Sequence, residues 1–135
     1  MNKPRWQQEP KRVLAEAANV RLQDAKALLK VKRYGGAVYL GGYVIECLLK
    51  VAICDYIRVG ELPGKYAVHD LEHLLWVSGL QEKLTDSPKL ANLFDRVAWW
   101  SINLRYRGAV VSAADAHEFM EAVKEMREWL LNKRK

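Results

Sequence analysis

Between Lys11 and Lys32 the apolar and small residues Leu14, Ala18, Leu22, Ala25 and Leu29 advance by four, four, three and four positions, the rhythm of one buried helix face. Tyr34-Gly35-Gly36 interrupts that rhythm, and a second helix is predicted from about Gly36 to Arg58. Val38, Gly42, Ile45, Leu49, Ala52 and Tyr56 share its stripe. Apolar residues cover much of its remaining surface too, so it reads as the central helix of a core. Gly60 to Tyr66, containing Pro63-Gly64, reads as a loop. Asp70 is placed to cap a short helix running to about Ser78, its carboxylate accepting from a free amide of the first turn. Asp86-Ser87-Pro88 signals a fourth helix, expected to end near Ile102 or Asn103, because proline fits the first helical position, where an N–H has no partner to lose. Ser112-Ala113-Ala114-Asp115 resembles a capping box with Asp in place of Glu or Gln. Ala116, Phe119, Val123, Met126 and Leu130 then line one face of a closing helix. No segment alternates as a strand does. The pattern predicts an all-α, four- to five-helix up-and-down bundle, a single domain over 1–135 with short basic tails at about 1–8 and 132–135.

Composition supports a packed domain: half of the residues are hydrophobic, with five Trp and six Tyr, which excludes the disordered class. Glu46 and Lys50 interrupt the most apolar run, Val44 to Ile53, so no stretch approaches the roughly 18 consecutive apolar residues of a membrane span. The N-terminus, Met-Asn-Lys-Pro-Arg-Trp, lacks the apolar core of a secretory signal, and a cytoplasmic location away from membranes is expected. The net charge of +6 invites a nucleic-acid reading, but Lys3, Arg5, Lys133, Arg134 and Lys135 lie at the two ends. Without them 17 basic residues face 16 acidic ones, so the excess belongs to the tails and specifies no ligand.

Several residues could carry chemistry. Glu46 and Lys50 stand at i and i+4 with the acid first, the favoured order for a helical ion pair, and such a pair at a bundle opening could also position a ligand. His69 and His73 have the spacing of two metal ligands on a helix, but an N-cap at Asp70 would leave His69 outside it. The simpler expectation is that His69 hydrogen-bonds to backbone and orders the turn, with no metal bound. Arg105, Tyr106 and Arg107 precede the start of the closing helix, where two guanidinium groups could hold phosphate and Tyr106 could stack on a base. Alternatively Arg105 pairs with Glu46 or Asp95, and Trp99 and Trp100 serve only the core. Cys47 and Cys54 are about 10 Å apart along one helix, too far for a disulfide, and read as packing thiols. Gly41-Gly42 inside a helix requires close approach by another helix, within the subunit or across a dimer.

Taken in order, these clusters resemble the HEPN family (named from higher eukaryotes and prokaryotes, nucleotide-binding) over about Leu14 to Leu130. The elements are Asp24-Ala25 in the first helix, Tyr43 to Lys50 with Glu46 three residues before Leu49-Lys50, and His69-Asp70-Leu71 followed by Leu74-Leu75. Arg105-Tyr106 follows, then Ser112, Asp115, Ala116 and Trp129 in the closing helix. The resemblance implies a helical bundle, often a symmetric dimer with a cleft between subunits. Many members resemble metal-independent ribonucleases in which arginine stabilises phosphate charge and a histidine after four to six intervening residues assists attack by the RNA 2′-OH. Others look like noncatalytic partners of minimal nucleotidyltransferases, sometimes in toxin–antitoxin pairs. Here no arginine has a histidine at that spacing: nine residues separate Arg107 from His117 and ten separate Arg58 from His69.

The leading expectation is therefore a cofactor-free homodimer acting with a nucleotidyltransferase in a toxin–antitoxin or defence setting. It would bind nucleotide or RNA phosphate through Arg105, Tyr106 and Arg107, with Glu46 and Lys50 nearby. The alternatives are a ribonuclease using Arg105 or Arg107 with the noncontiguous His69 or His117, and a noncatalytic helical adaptor.

Overall fold

The computed structural model describes residues 9–107 and 110–133, excluding the side chains of residues 105–107 and 133. The expected basic tails fall almost wholly outside these residues. Among the described residues the chain forms six helices and no strand: α1 (Lys11–Lys30), α2 (Tyr34–Ile57), α3 (Leu71–Val77), α4 (Gln81–Thr85), α5 (Pro88–Arg107) and α6 (Ala113–Lys133). A 3-10 turn, Gly64–Tyr66, lies in the loop after α2. The four long helices make the bundle, and α3 and α4 fill the connection between α2 and α5.

The α1 face forms as its spacing predicts, with Leu14, Ala18, Leu22 and Ala25 buried. The break comes earlier than Gly35-Gly36. Lys32 takes the left-handed conformation (φ 65°), and the Arg33 amide donates to the Leu28 carbonyl at 2.8 Å, closing α1 and turning the chain back along it. Gly35 and Gly36 consequently lie inside the first turn of α2. A Cβ on Gly36 would stand 3.1 Å from Leu28 Cδ1, so the missing side chain serves the approach of α2 to α1.

Every residue from Val44 to Cys54 is buried, and α2 is the central helix. Its most apolar 18-residue window has a mean hydropathy of 1.7, enough by length and composition to cross a membrane, yet 83% of that window is buried within the bundle. Gly41 packs on α6, where a Cβ would meet Phe119 Cε1 at 2.8 Å and Met120 Sδ at 3.0 Å. The glycine pair thus has an intramolecular partner. Tyr56 departs from the predicted stripe. It is 65% exposed, and its ring lies over Gly79, whose φ of 76° and lack of a side chain let the chain turn out of α3 beneath it.

Cap chemistry sets the later starts. The Asp70 carboxylate accepts from the His73 amide at 3.2 Å, Ser87 Oγ from Leu90 at 3.3 Å, and Ser112 Oγ from Asp115 at 3.1 Å. The second cap is Ser87, with Pro88 as the first helical residue. The short helix α4 was not legible in the hydrophobic spacing, because only Leu84 of its five residues is buried. Helix α5 runs past the expected end at Ile102 or Asn103 to Arg107. The Asn103 side-chain amide donates to the Trp99 carbonyl one turn back at 2.8 Å and so folds along the helix instead of ending it. Arg96–Glu118 (2.6 Å) and Lys89–Glu125 (3.5 Å) tie α5 to α6 at the surface.

Just before α1 the chain is clipped to the loop after α2. Pro10 and Glu61 form an isolated antiparallel bridge, with Lys11 donating to the Gly60 carbonyl at 2.8 Å and Leu62 to the Glu9 carbonyl at 2.9 Å. This clip holds Glu9 over the middle of α2.

Candidate functional site

Helix α2 carries a polar stripe through its buried middle: Tyr43, Glu46, Cys47 and Lys50, recurring at helical spacing. Glu46 is 1% exposed and Lys50 is 4% exposed, so both charges must be met inside the protein. Lys50 Nζ donates to Glu46 Oε2 at 3.2 Å and lies 3.8 Å from Glu9 Oε1. His69, arriving from the loop before α3, places Nδ1 3.0 Å from both Glu46 oxygens. Glu46 therefore joins a cation within its own helix to an imidazole 23 residues away. Among the described residues Glu9 Oε2 is buried without a hydrogen-bond partner.

The predicted Glu46–Lys50 pair is thus present, with a third member that the sequence reading placed elsewhere. His69 bonds to the Glu46 carboxylate instead of to backbone, because folding the loop onto α2 brings the ring to that buried acceptor. His73 turns away, its ring 6.5 Å from that of Tyr66 and 6.3 Å from that of Trp76. The two imidazoles therefore face different surroundings, and among the described residues no group of three or more His, Cys, Asp or Glu side chains is arranged to hold a metal ion.

The same helix packs two thiols, Cys47 within the stripe and Cys54 two turns further on. Burial, followed by the nearby Glu46 charge, pushes the Cys47 thiol up to about 11, and burial pushes the Tyr43 hydroxyl, hydrogen-bonded to Cys47, up to about 12. Cys54 is raised as well, by burial and then by the Asp55 charge. Both cysteines are free, buried and protonated at neutral pH, which suits packing and opposes thiolate chemistry.

His69 is at the surface end of the network, its side chain 58% exposed. It lines a cleft of about 650 Å³ between residues 67–72 and the Ala98, Ser101 and Ile102 face of α5. With Nδ1 directed at Glu46, Nε2 is the ring atom left to meet an occupant. The α5 wall steps by three and one, and position 105 is the next on that stripe, four beyond Ser101 and three beyond Ile102. Arg105, Tyr106 and Arg107 form the last turn of α5, and their side chains lie outside the described residues. The candidate set thus divides: His69 lines the cleft, and Glu46 and Lys50 lie behind it as its support. His117 is exposed in the first turns of α6 and is not among the lining residues. Glu72 and Ser101 line the cleft without having stood out in the sequence, and Asp70 had stood out only as a cap, since nothing in linear spacing pairs the α3 cap with a helix thirty residues later.

A family model described as HEPN domain matches residues 12–134. No curated protein and no solved structure matches the chain. The match runs from the first buried turn of α1 to the end of α6 and takes in the α2 stripe, the His69 loop and the α5 wall: the chain belongs to the HEPN domain family.

Proposed function

We propose that this HEPN domain binds the phosphate of a nucleotide or RNA in the cleft between His69 and α5, and acts as the noncatalytic partner of a nucleotidyltransferase. The observation that carries the reading is the cleft itself: an imidazole fixed by a buried carboxylate on one wall, and on the other a helical stripe on which position 105 comes next. Fork-shaped guanidinium donors suit phosphate oxygens, and a preset imidazole adds a further donor without being ordered on binding. A homodimer, a cytoplasmic location and a toxin–antitoxin or defence setting are consistent parts of the proposal. Recovery of the protein at native expression level in complexes that contain a nucleotidyltransferase is the expected result. Stable complexes lacking any such enzyme oppose it.

The His69–Glu46 pair favours one second reading, metal-independent RNA cleavage. A histidine whose Nδ1 is held by a carboxylate presents Nε2 for proton transfer, and the noncontiguous His69 would replace the histidine missing from the usual spacing after arginine. Labelled structured RNA incubated with the protein in excess EDTA separates the two. Intact RNA with wild type, Arg105→Ala and His69→Ala alike supports the partner role, whereas cleavage by wild type alone puts the ribonuclease first.

A further inference from the structure

The Glu46 contact decides which nitrogen of His69 carries a hydrogen. Both Glu46 oxygens stand 3.0 Å from Nδ1, and the same carboxylate is ion-paired with the buried Lys50 at 3.2 Å. An ionised carboxylate only accepts hydrogen bonds, so Nδ1 is the protonated nitrogen of this contact. In the neutral ring Nε2 is then a bare lone pair. A lone pair facing a phosphate oxygen repels it. The rest of the described lining does not offset this: Asp70 and Glu72 bring two carboxylates, Ser101 brings a neutral hydroxyl, and no lysine or arginine is among these residues. His69 is the one side chain among them that can become cationic.

We infer that an anion enters this cleft together with a proton. Nε2 takes the proton from solvent as phosphate binds, the ring becomes an imidazolium, and Nε2–H donates to a phosphate oxygen while Nδ1–H stays on Glu46. The cation then has a carboxylate behind it and the anion before it. Its charged surroundings are Glu46 and Lys50 from α2, Glu9 from the N-terminal clip, 3.8 Å from Lys50, and Asp70 and Glu72 from the cleft wall. Lys65 lies over the Tyr66 ring, and His73 is turned toward Tyr66 and Trp76. Tyr43 and Cys47, pushed up to about 12 and about 11, stay uncharged at neutral pH. Helix α5 brings only Ala98, Ser101 and Ile102 among the described lining residues. The inference rests on the phosphate reading above and adds its dependence on pH.

Isothermal titration of the full chain with the dinucleotide UpU tests it, since the phosphodiester and the uracil rings keep one charge state across neutral pH. Titrations near pH 7.5 in buffers of different ionisation enthalpy count the protons taken up on binding. A substantial fraction of one proton is expected, with affinity rising on the order of ten-fold from about pH 8 to about pH 6, where carboxylates remain ionised. His69→Gln, which offers a non-titrating amide in place of Nε2, abolishes the uptake and flattens the pH profile. His73→Gln and His117→Gln leave both as in wild type, and thermal unfolding confirms that each variant is folded. UpU binding without proton uptake, or uptake that survives His69→Gln, overturns the inference and leaves the phosphate-binding reading standing. Failure of UpU to bind at millimolar concentration across this pH range overturns both.

Discussion

Glu46 is the residue on which the interior depends most. Breaking a buried ion pair from one side leaves the other charge without compensation, which costs about 3–5 kcal/mol, whereas replacing both partners by apolar groups of similar volume is often neutral. Glu46→Ala should therefore be strongly destabilising in urea unfolding, and Glu46→Leu combined with Lys50→Met should recover most of the loss while still releasing His69. A double variant no more stable than the single one would contradict this account. Beside it, Cys47 makes stability depend on alkaline pH. Its folded value of about 11 lies above the ordinary thiol value of 9, so its contribution is complete below pH 9 and is lost as pH rises to 11. The loss amounts to about 2–3 kcal/mol at 1.36 kcal/mol per unit. Unfolding midpoints at pH 8 and pH 11 should converge in Cys47→Ala relative to wild type, and equal slopes would assign the alkaline loss to other groups. The Glu46–Lys50 pair was legible because helical spacing alone puts i and i+4 together. The His69 contact was not, because it depends on how the loop after α2 folds back over that helix.

Among the elements, α2 shows how a helix tolerates glycine when a neighbour fills its place. Gly41 and Gly42 carry the same propensity cost, about 1 kcal/mol each relative to alanine, but meet different surroundings. A Cβ on Gly41 collides with the buried Phe119 ring and Met120, whereas the nearest atom to a Cβ on Gly42 is Ser101 Cβ at 3.9 Å, an ordinary contact. Gly41→Ala should lose about 1–2 kcal/mol, overpacking exceeding the propensity gain. Gly42→Ala should gain up to about 1 kcal/mol. Chemical denaturation of the two variants checks both signs, and stabilisation by Gly41→Ala would mean that α6 moves aside at little cost. The amphipathic rhythm and the caps made five of the six helices readable from the chain, all but α4. The errors came where local signals lost to context: Gly36 looked like part of a break but serves a close approach of α2 to α1, and Asn103 looked like a terminus but bonds within the turn. Tyr56 kept the apolar spacing of α2 yet lies in its last turn, where the ring covers Gly79.

At the scale of the molecule, the candidate cleft exists only after folding, since residues 67–72 and α5 meet through α2, against which both pack. An occupant that touches both walls binds the folded chain and has no counterpart in the unfolded one, so it must stabilise the whole bundle by mass action. At a free concentration of 100 times Kd that contribution is about 2.7 kcal/mol. For a two-state domain of this size each kcal/mol moves Tm by about 3–4 °C, so the shift should reach about 8–10 °C. RNA oligonucleotides and mononucleotides that bind should raise Tm along a concentration-dependent curve fixed by their own Kd. Arg105→Ala should lower the curve by weakening phosphate contact, and His69→Ala should lower it further if the imidazole also meets the ligand. A ligand that binds by titration yet leaves Tm unchanged would be associating with folded and unfolded chains alike, as a basic tail can. That outcome would move the recognition of phosphate out of the cleft and onto the ends of the chain.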